Sequence, residues 1–138
     1  MPDYNKPIPD PEQYITKPFW DGALQGKLML PRCTKCGRAH FYPRAICPFC
    51  HSGELDWVEA SGYGYVHTFA VQHRAFGGWA EEVPFVTAYI DLQKGDRIMT
   101  VLRGVDATQP DLAWIGRKVQ VEFDHVSDEV GIPFWRLA

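Results

Sequence analysis

No run of apolar residues in this 138-residue chain approaches the roughly 20 that would span a bilayer as a helix. The N-terminus is polar and proline-rich and lacks the apolar segment of a signal peptide, so the expected compartment is the cytoplasm. The chain has no G-x-S-x-G elbow, no H-E-x-x-H pair and no phosphate-cradling glycine loop, which excludes the commonest hydrolase, metalloprotease and nucleotide-binding devices. Internal repeats and low-complexity tracts are absent too. What remains is an ordinary globular composition, 46% hydrophobic and 22% charged, in a chain long enough for one modest core.

Acidic residues are also missing from one long stretch. Between Asp21 and Glu54 there is none, while Lys27, Arg32, Lys35, Arg38 and Arg44 all fall there. The rest of the chain holds all 17 acidic residues and nine of the 14 basic ones. A small positive module is thus joined to a negative one. Its cations either attract an acidic partner surface or are simply solvated.

Cysteine is scarce, and all of it lies in that basic stretch. Cys33-Thr34-Lys35-Cys36-Gly37 and Cys47-Pro48-Phe49-Cys50 are two C-x-x-C knuckles with ten residues between them. Each knuckle presents two thiolates from one tight bend, and together they supply a tetrahedral four-sulfur set. Gly37 suits the positive φ that follows such a bend. In a reducing compartment four paired cysteines bind metal more readily than they form disulfides. A redox C-x-x-C would account for one pair and not two. The expectation is one structural zinc held by Cys33, Cys36, Cys47 and Cys50; a four-sulfur iron centre shares the geometry, and spacing alone does not separate them. His40 and His51 nearby read as surface residues.

Five prolines in the first 18 residues predict an extended arm. A short helix should follow, capped by Thr16, with Pro18 in its first turn and Gly26 at its end. Phe19/Ala23 and Trp20/Leu24 give it one apolar face that must pack on the rest of the chain or on another protein. From about Trp57 the sequence reads as strands: Tyr63–His73, Phe85–Leu92, Arg97–Arg103, Arg117–Asp124 and Ile132–Leu137. Val119, Val121 and Phe123 alternate with polar residues, and Gln93-Lys94-Gly95-Asp96 marks a hairpin turn. Gly62 and Gly64 suit a coiled or bulged strand. Asp106–Ile115 suggests a helical turn. The fold class is mainly β: five or six short antiparallel strands closing a small barrel. The expected division is 1–27 for arm and helix, 28–56 for the cysteine module and 57–138 for the barrel.

No catalytic constellation emerges. His67 and His73 are expected on one strand face, without a nucleophile beside them. The loop from Gln72 to Pro84 is more informative, because it carries Phe76 and Trp79 around a flexible Gly77-Gly78. Large aromatics on a loop are either folded back on the body or offered to a partner. The candidate partner-binding residues are therefore Phe19, Trp20, Arg38, Arg44, Phe76 and Trp79.

The order Phe19-Trp20-x-Gly22, Leu28 to Pro31, Cys-x-x-Cys-Gly, Tyr42-Pro43-Arg44, Cys-Pro-x-Cys, Trp57, Gly62-x-Gly64 and Gly116-x-x-Val119-x-Val121-x-Phe123 resembles one family. It is the acyl-CoA-associated OB-fold family with an N-terminal rubredoxin-like zinc ribbon, the domain of unknown function 35 family. The resemblance runs from about Thr16 to the C-terminus and leaves out only the arm. It implies an OB-fold barrel and a non-catalytic zinc-binding accessory subunit of a thiolase-like enzyme or steroid side-chain aldolase, or of a MaoC-like hydratase. Such a subunit is a hetero-oligomer component that helps shape an acyl-CoA site. The competing reading is a single-stranded nucleic-acid binder, since zinc ribbons and OB barrels serve that purpose too. It requires a basic groove, and the negative barrel argues against one.

Overall fold

A computed structural model describes residues 4–93 and 96–138. One helix, α1 (Lys17–Leu24), precedes β1 (Met29–Cys33) and β2 (Leu55–Glu59), which pair antiparallel as a separate two-stranded sheet. Then come β3 (Tyr63–Gln72), β4 (Phe85–Leu92), β5 (Arg97–Arg103), β6 (Lys118–His125) and β7 (Gly131–Leu137). These five strands form a closed barrel in the order β3-β4-β5-β7-β6, an OB-fold. β2 straddles the division at residue 56/57 expected from sequence. The hairpin turn expected at residues 93–96 includes Lys94 and Gly95, which lie outside the described residues, as does Pro2 of the arm.

The barrel is not antiparallel throughout, as the sequence reading expected: β5 and β7 pair in parallel, Leu102 opposite Trp135. A closed ring with an odd number of strands cannot alternate direction all the way round. One parallel pair is unavoidable. The long β3 serves two neighbours, pairing with β6 through Tyr63–Tyr65 and with β4 along most of its length. A Cβ at Gly64 would lie 2.7 Å from both Asp91 O and Ile90 Cγ2, so only glycine permits that crossing. The bulge falls two residues later, between Val66 and Thr68. It breaks the two-residue period, and His73 lies past the strand's end. His67 and His73 therefore do not share one face of the strand, as the sequence reading expected. Instead, His67 Nδ1 sits 3.0 Å from an Asp91 carboxylate that Arg97 also binds.

Thr16 occupies the N-cap of α1 but makes no capping bond. Its hydroxyl donates back to the Gln13 carbonyl and side chain. The C-terminus stops as expected. Gly26 at φ +76° lets Lys27 N–H reach Gly22 O and Gly26 N–H reach Ala23 O, the paired bonds of a Schellman ending. The helix's apolar face lies on β7, where a Cβ at Gly131 would strike the Ala23 carbonyl. Phe19, Leu28 and Leu30 join Val66, Ile90, Val119 and Trp135 in one buried cluster. Helix, ribbon base and barrel share a single core.

Candidate metal centre and docking surface

The metal centre grows from the end of β1. Cys33 ends that strand, and Gly37, at φ +80°, turns the chain so that its N–H donates to Cys33 O at 2.8 Å. Arg38 then returns alongside, its carbonyl accepting from Cys33 N–H at 2.9 Å. The second knuckle repeats the device. His51 N–H donates to Cys47 O at 2.9 Å and Ser52 O accepts from Cys47 N–H at 2.8 Å, with His51 taking the positive φ of 65°. His51 is exposed, as expected. It stands where the first knuckle uses glycine.

The two knuckles bring all four sulfur atoms within 4.8 Å of one another. Cys33 Sγ and Cys50 Sγ are 3.5 Å apart, and Cys36 Sγ and Cys47 Sγ 3.7 Å. Four thiolates about 2.3 Å from one ion stand about 3.8 Å from each other, whereas a disulfide needs about 2.05 Å. The cysteines are free thiols arranged for one tetrahedral ion. Backbone N–H groups of Cys36 and Phe49 point at Cys33 Sγ and Cys47 Sγ, each at 3.4 Å. The Cys36 N–H is the main cause that draws the Cys33 thiol down to about 6, so a thiolate is favoured there even apart from the ion's own charge. Cys33 and Cys47 are buried, Cys36 and Cys50 exposed. With four protein ligands the ion has no open position for a substrate. The site folds the ribbon rather than reacting.

His40 corrects the sequence reading, which left it on the surface. It is fully buried, and among the described residues neither ring nitrogen has a hydrogen-bond partner. Only its backbone is tied, N–H to Pro31 O at 3.0 Å. Burial, reinforced by the Arg44 cation and opposed by the Asp96 carboxylate, holds its imidazole below the usual range. A base depressed in the folded state contributes stability above its unfolded value, near 6.5, and loses it as pH falls toward the folded one. Wild-type protein should therefore melt progressively lower between pH 7 and pH 5.5, by up to ~1.4 kcal/mol per pH unit. His40→Leu should flatten that slope. Parallel slopes for the two proteins in zinc-saturated buffer would show that His40 is not the titrating group.

The six candidate docking residues separate sharply. Phe19 is only 3% exposed and belongs to the shared core, so it is not a surface anchor: the helix's apolar face finds its home on the barrel. Trp20 is half-buried, edge-on to Phe19 with ring centres 4.8 Å apart. Arg38 and Arg44 are exposed, and the Arg38 guanidinium lies 3.6 Å from the centre of the Phe49 ring. Trp79 folds back on Phe85, ring centres 5.0 Å apart. Phe76 is 94% exposed. Between ribbon and barrel runs an open cleft of about 1070 Å³ lined by Leu30, Arg32, Arg38, Ala60, Tyr63 and Leu92. Its Arg32 is paired with Asp56. The alternation of strands gave no hint of this cleft, because it forms where two elements distant in sequence meet.

Comparison with known proteins assigns both halves. A family model described as the ChsH2 rubredoxin-like zinc ribbon domain matches residues 20–56, and one described as the ChsH2 C-terminal OB-fold domain matches residues 57–124. A DUF35 domain-containing scaffold protein of Methanocaldococcus jannaschii is 34% identical over 99 residues, covering 71% of this chain and 68% of the relative. A probable enoyl-CoA hydratase alpha subunit of Thermomonospora curvata is 35% identical over 121 residues, 87% of this chain. The match spans 37% of that longer relative. Among solved structures, the Ltp2-ChsH2(DUF35) aldolase aligns with a TM-score of 0.78 at 29% identity, covering 96% of this chain and 98% of the matched one. The four clustered thiols are accordingly the ligands of one structural zinc.

Proposed function

Because the chain belongs to the DUF35 family of ChsH2-type proteins, a rubredoxin-like zinc ribbon joined to an OB-fold domain, we propose that it is a non-catalytic accessory subunit of an acyl-CoA enzyme. The partner is a thiolase-like or aldolase subunit, or a MaoC-like hydratase. The observation that carries this reading is the combination of a coordinatively closed zinc with an aromatic side chain, Phe76, left 94% exposed. Such a residue is costly in water and useful in an interface. Arg38 and Arg44, exposed on the ribbon, offer charge to an acidic surface of the partner. The open cleft, which brings Arg32 and Arg38 beside the apolar Leu30 and Leu92, is suited to help shape a partner's acyl-CoA channel. Single-strand nucleic-acid binding is the weaker reading, because residues 57–138 carry 11 acidic residues against seven basic ones, so the barrel is net negative. The cytoplasm, where free thiols hold metal, is the compartment that suits this chemistry.

Phe76→Ala should weaken association with a thiolase-like subunit of the same organism about tenfold, the effect of losing an anchor of ~1.4 kcal/mol. Its melting temperature should stay within a degree of wild type, since the ring touches little of its own chain. Calorimetric titration and a thermal melt on one sample check both. Unchanged affinity would remove Phe76 from the interface. The chain alone should show no thiolase, aldolase or hydratase turnover.

A further inference from the structure

The loop from His73 to Pro84 is long and carries two consecutive glycines, yet it is folded into a 3₁₀ turn, Gly77–Glu81, none of whose residues is buried. Its internal support includes one closing bond, Glu82 N–H to Trp79 O at 3.0 Å. Further support comes from the other end of the chain. Asn5 Nδ2 donates to Glu81 Oε2 at 2.8 Å, and Lys6 Nζ to Glu82 Oε1 at 3.0 Å. The Lys6 ammonium lies 5.1 Å from the centre of the Trp79 ring and 5.5 Å from that of Tyr4. Only 13% of the Lys6 side chain is exposed. Beneath this arm Trp79, Phe85, Phe123 and Phe134 help line a groove of about 670 Å³. A Cβ on Gly78 would overlap the Asn5 carbonyl oxygen. Gly78 is thus the seat on which the arm's backbone rests, and not a hinge.

Resting on the docking role of Phe76, we infer that the N-terminal arm is a strap: Asn5 and Lys6 clamp the 77–82 turn and so fix the direction in which the adjoining Phe76 is presented. Charge and stacking act together in this clamp. Lys6 neutralises one carboxylate of the Glu81-Glu82 pair and covers the outer face of Trp79, whose neighbour is Phe85. A loop ordered before contact loses less freedom on binding, so the arm raises partner affinity without touching the partner. Lys6 and Gly78 are positioning residues. The partner surface that suits the Phe76 ring so presented is an apolar pocket sized for one benzyl side chain.

Lys6→Glu in the full chain should speed amide hydrogen exchange of residues 77–83 at least tenfold and leave zinc content unchanged. It should weaken binding of the same thiolase-like subunit three- to tenfold. The reversed pair Lys6→Glu with Glu82→Lys should restore both. Gly78→Ala, which lifts the arm without altering charge, should mimic the single variant. Unchanged exchange in the Lys6→Glu loop overturns the strap, as does failure of the reversed pair to rescue. If Phe76→Ala weakens binding and Lys6→Glu does not, the strap fails while the docking role of Phe76 stands. If neither weakens it, the docking role itself falls, and the strap's part in binding falls with it.

Discussion

Cys47→Ser is expected to reduce bound zinc from one equivalent to less than a tenth and to unfold the ribbon between Cys33 and Glu54. Residues 34–54 contain only His40, Pro43 and Cys47 as buried side chains, far too few to offset the chain entropy of about 20 ordered residues. The ion supplies the difference. Structural four-cysteine sites contribute roughly 10–16 kcal/mol of apparent binding energy at neutral pH, and in such small modules that energy is folding energy. Cys47 is a more damaging choice than the exposed Cys36 or Cys50 because it is buried and because its sulfur accepts the Phe49 N–H. The barrel should survive, since Leu28 and Leu30 at the base of the ribbon belong to its core rather than to the metal site. Elemental analysis together with hydrogen exchange confined to residues 33–54 gives the test. Full zinc occupancy in the variant would mean that three thiolates suffice and that the fourth is dispensable.

Phe19→Ala is expected to lower stability by about 3–5 kcal/mol, the usual effect of truncating a buried phenylalanine. In a domain of this size that is a fall in melting temperature on the order of 10 °C. The ring is 3% exposed, in edge contact with Trp20 and 5.5 Å from Phe41 between ring centres. It links helix, ribbon and barrel, so its cavity lies where all three meet and cannot collapse by shifting one element. Thermal or denaturant unfolding measures the loss. A change below about 1 kcal/mol, with weakened partner binding, would mean that the helix face is an interface after all.

The cysteine spacing carried the metal centre because both knuckles are local: C-x-x-C bends fix their own geometry, and ten residues suffice to return the chain. The five barrel strands were legible for a similar reason, since Val119, Val121 and Phe123 show the period of a half-buried strand. What escaped the sequence depends on long-range placement. The parallel pairing of β5 with β7 follows from closing an odd ring, which no single strand reveals. Phe19 and Phe76 are equally apolar in sequence, and only the docking of α1 on β7 sends one to the core and leaves the other in water. His40 follows the first knuckle among basic residues that are mostly solvated, yet its backbone bond to Pro31 turns it inward. Gly78 looked like a hinge because its neighbour at Asn5 is more than 70 residues away. The β1–β2 pair was hidden at the two ends of the cysteine module, where short strands lack the length to show a period.

A zinc-bearing accessory subunit of an acyl-CoA enzyme acts only in complex with its partner. The most direct test mixes the purified chain with a purified thiolase-like subunit of the same organism and examines the mixture by native mass spectrometry, with acyl-CoA turnover measured beside it. The expected result is a defined complex with one zinc per copy of this chain. This chain alone should show no turnover, and the complex should turn over at least tenfold faster than the other subunit alone. Turnover by this chain alone, or two subunits that remain separate with unchanged activity, would contradict it.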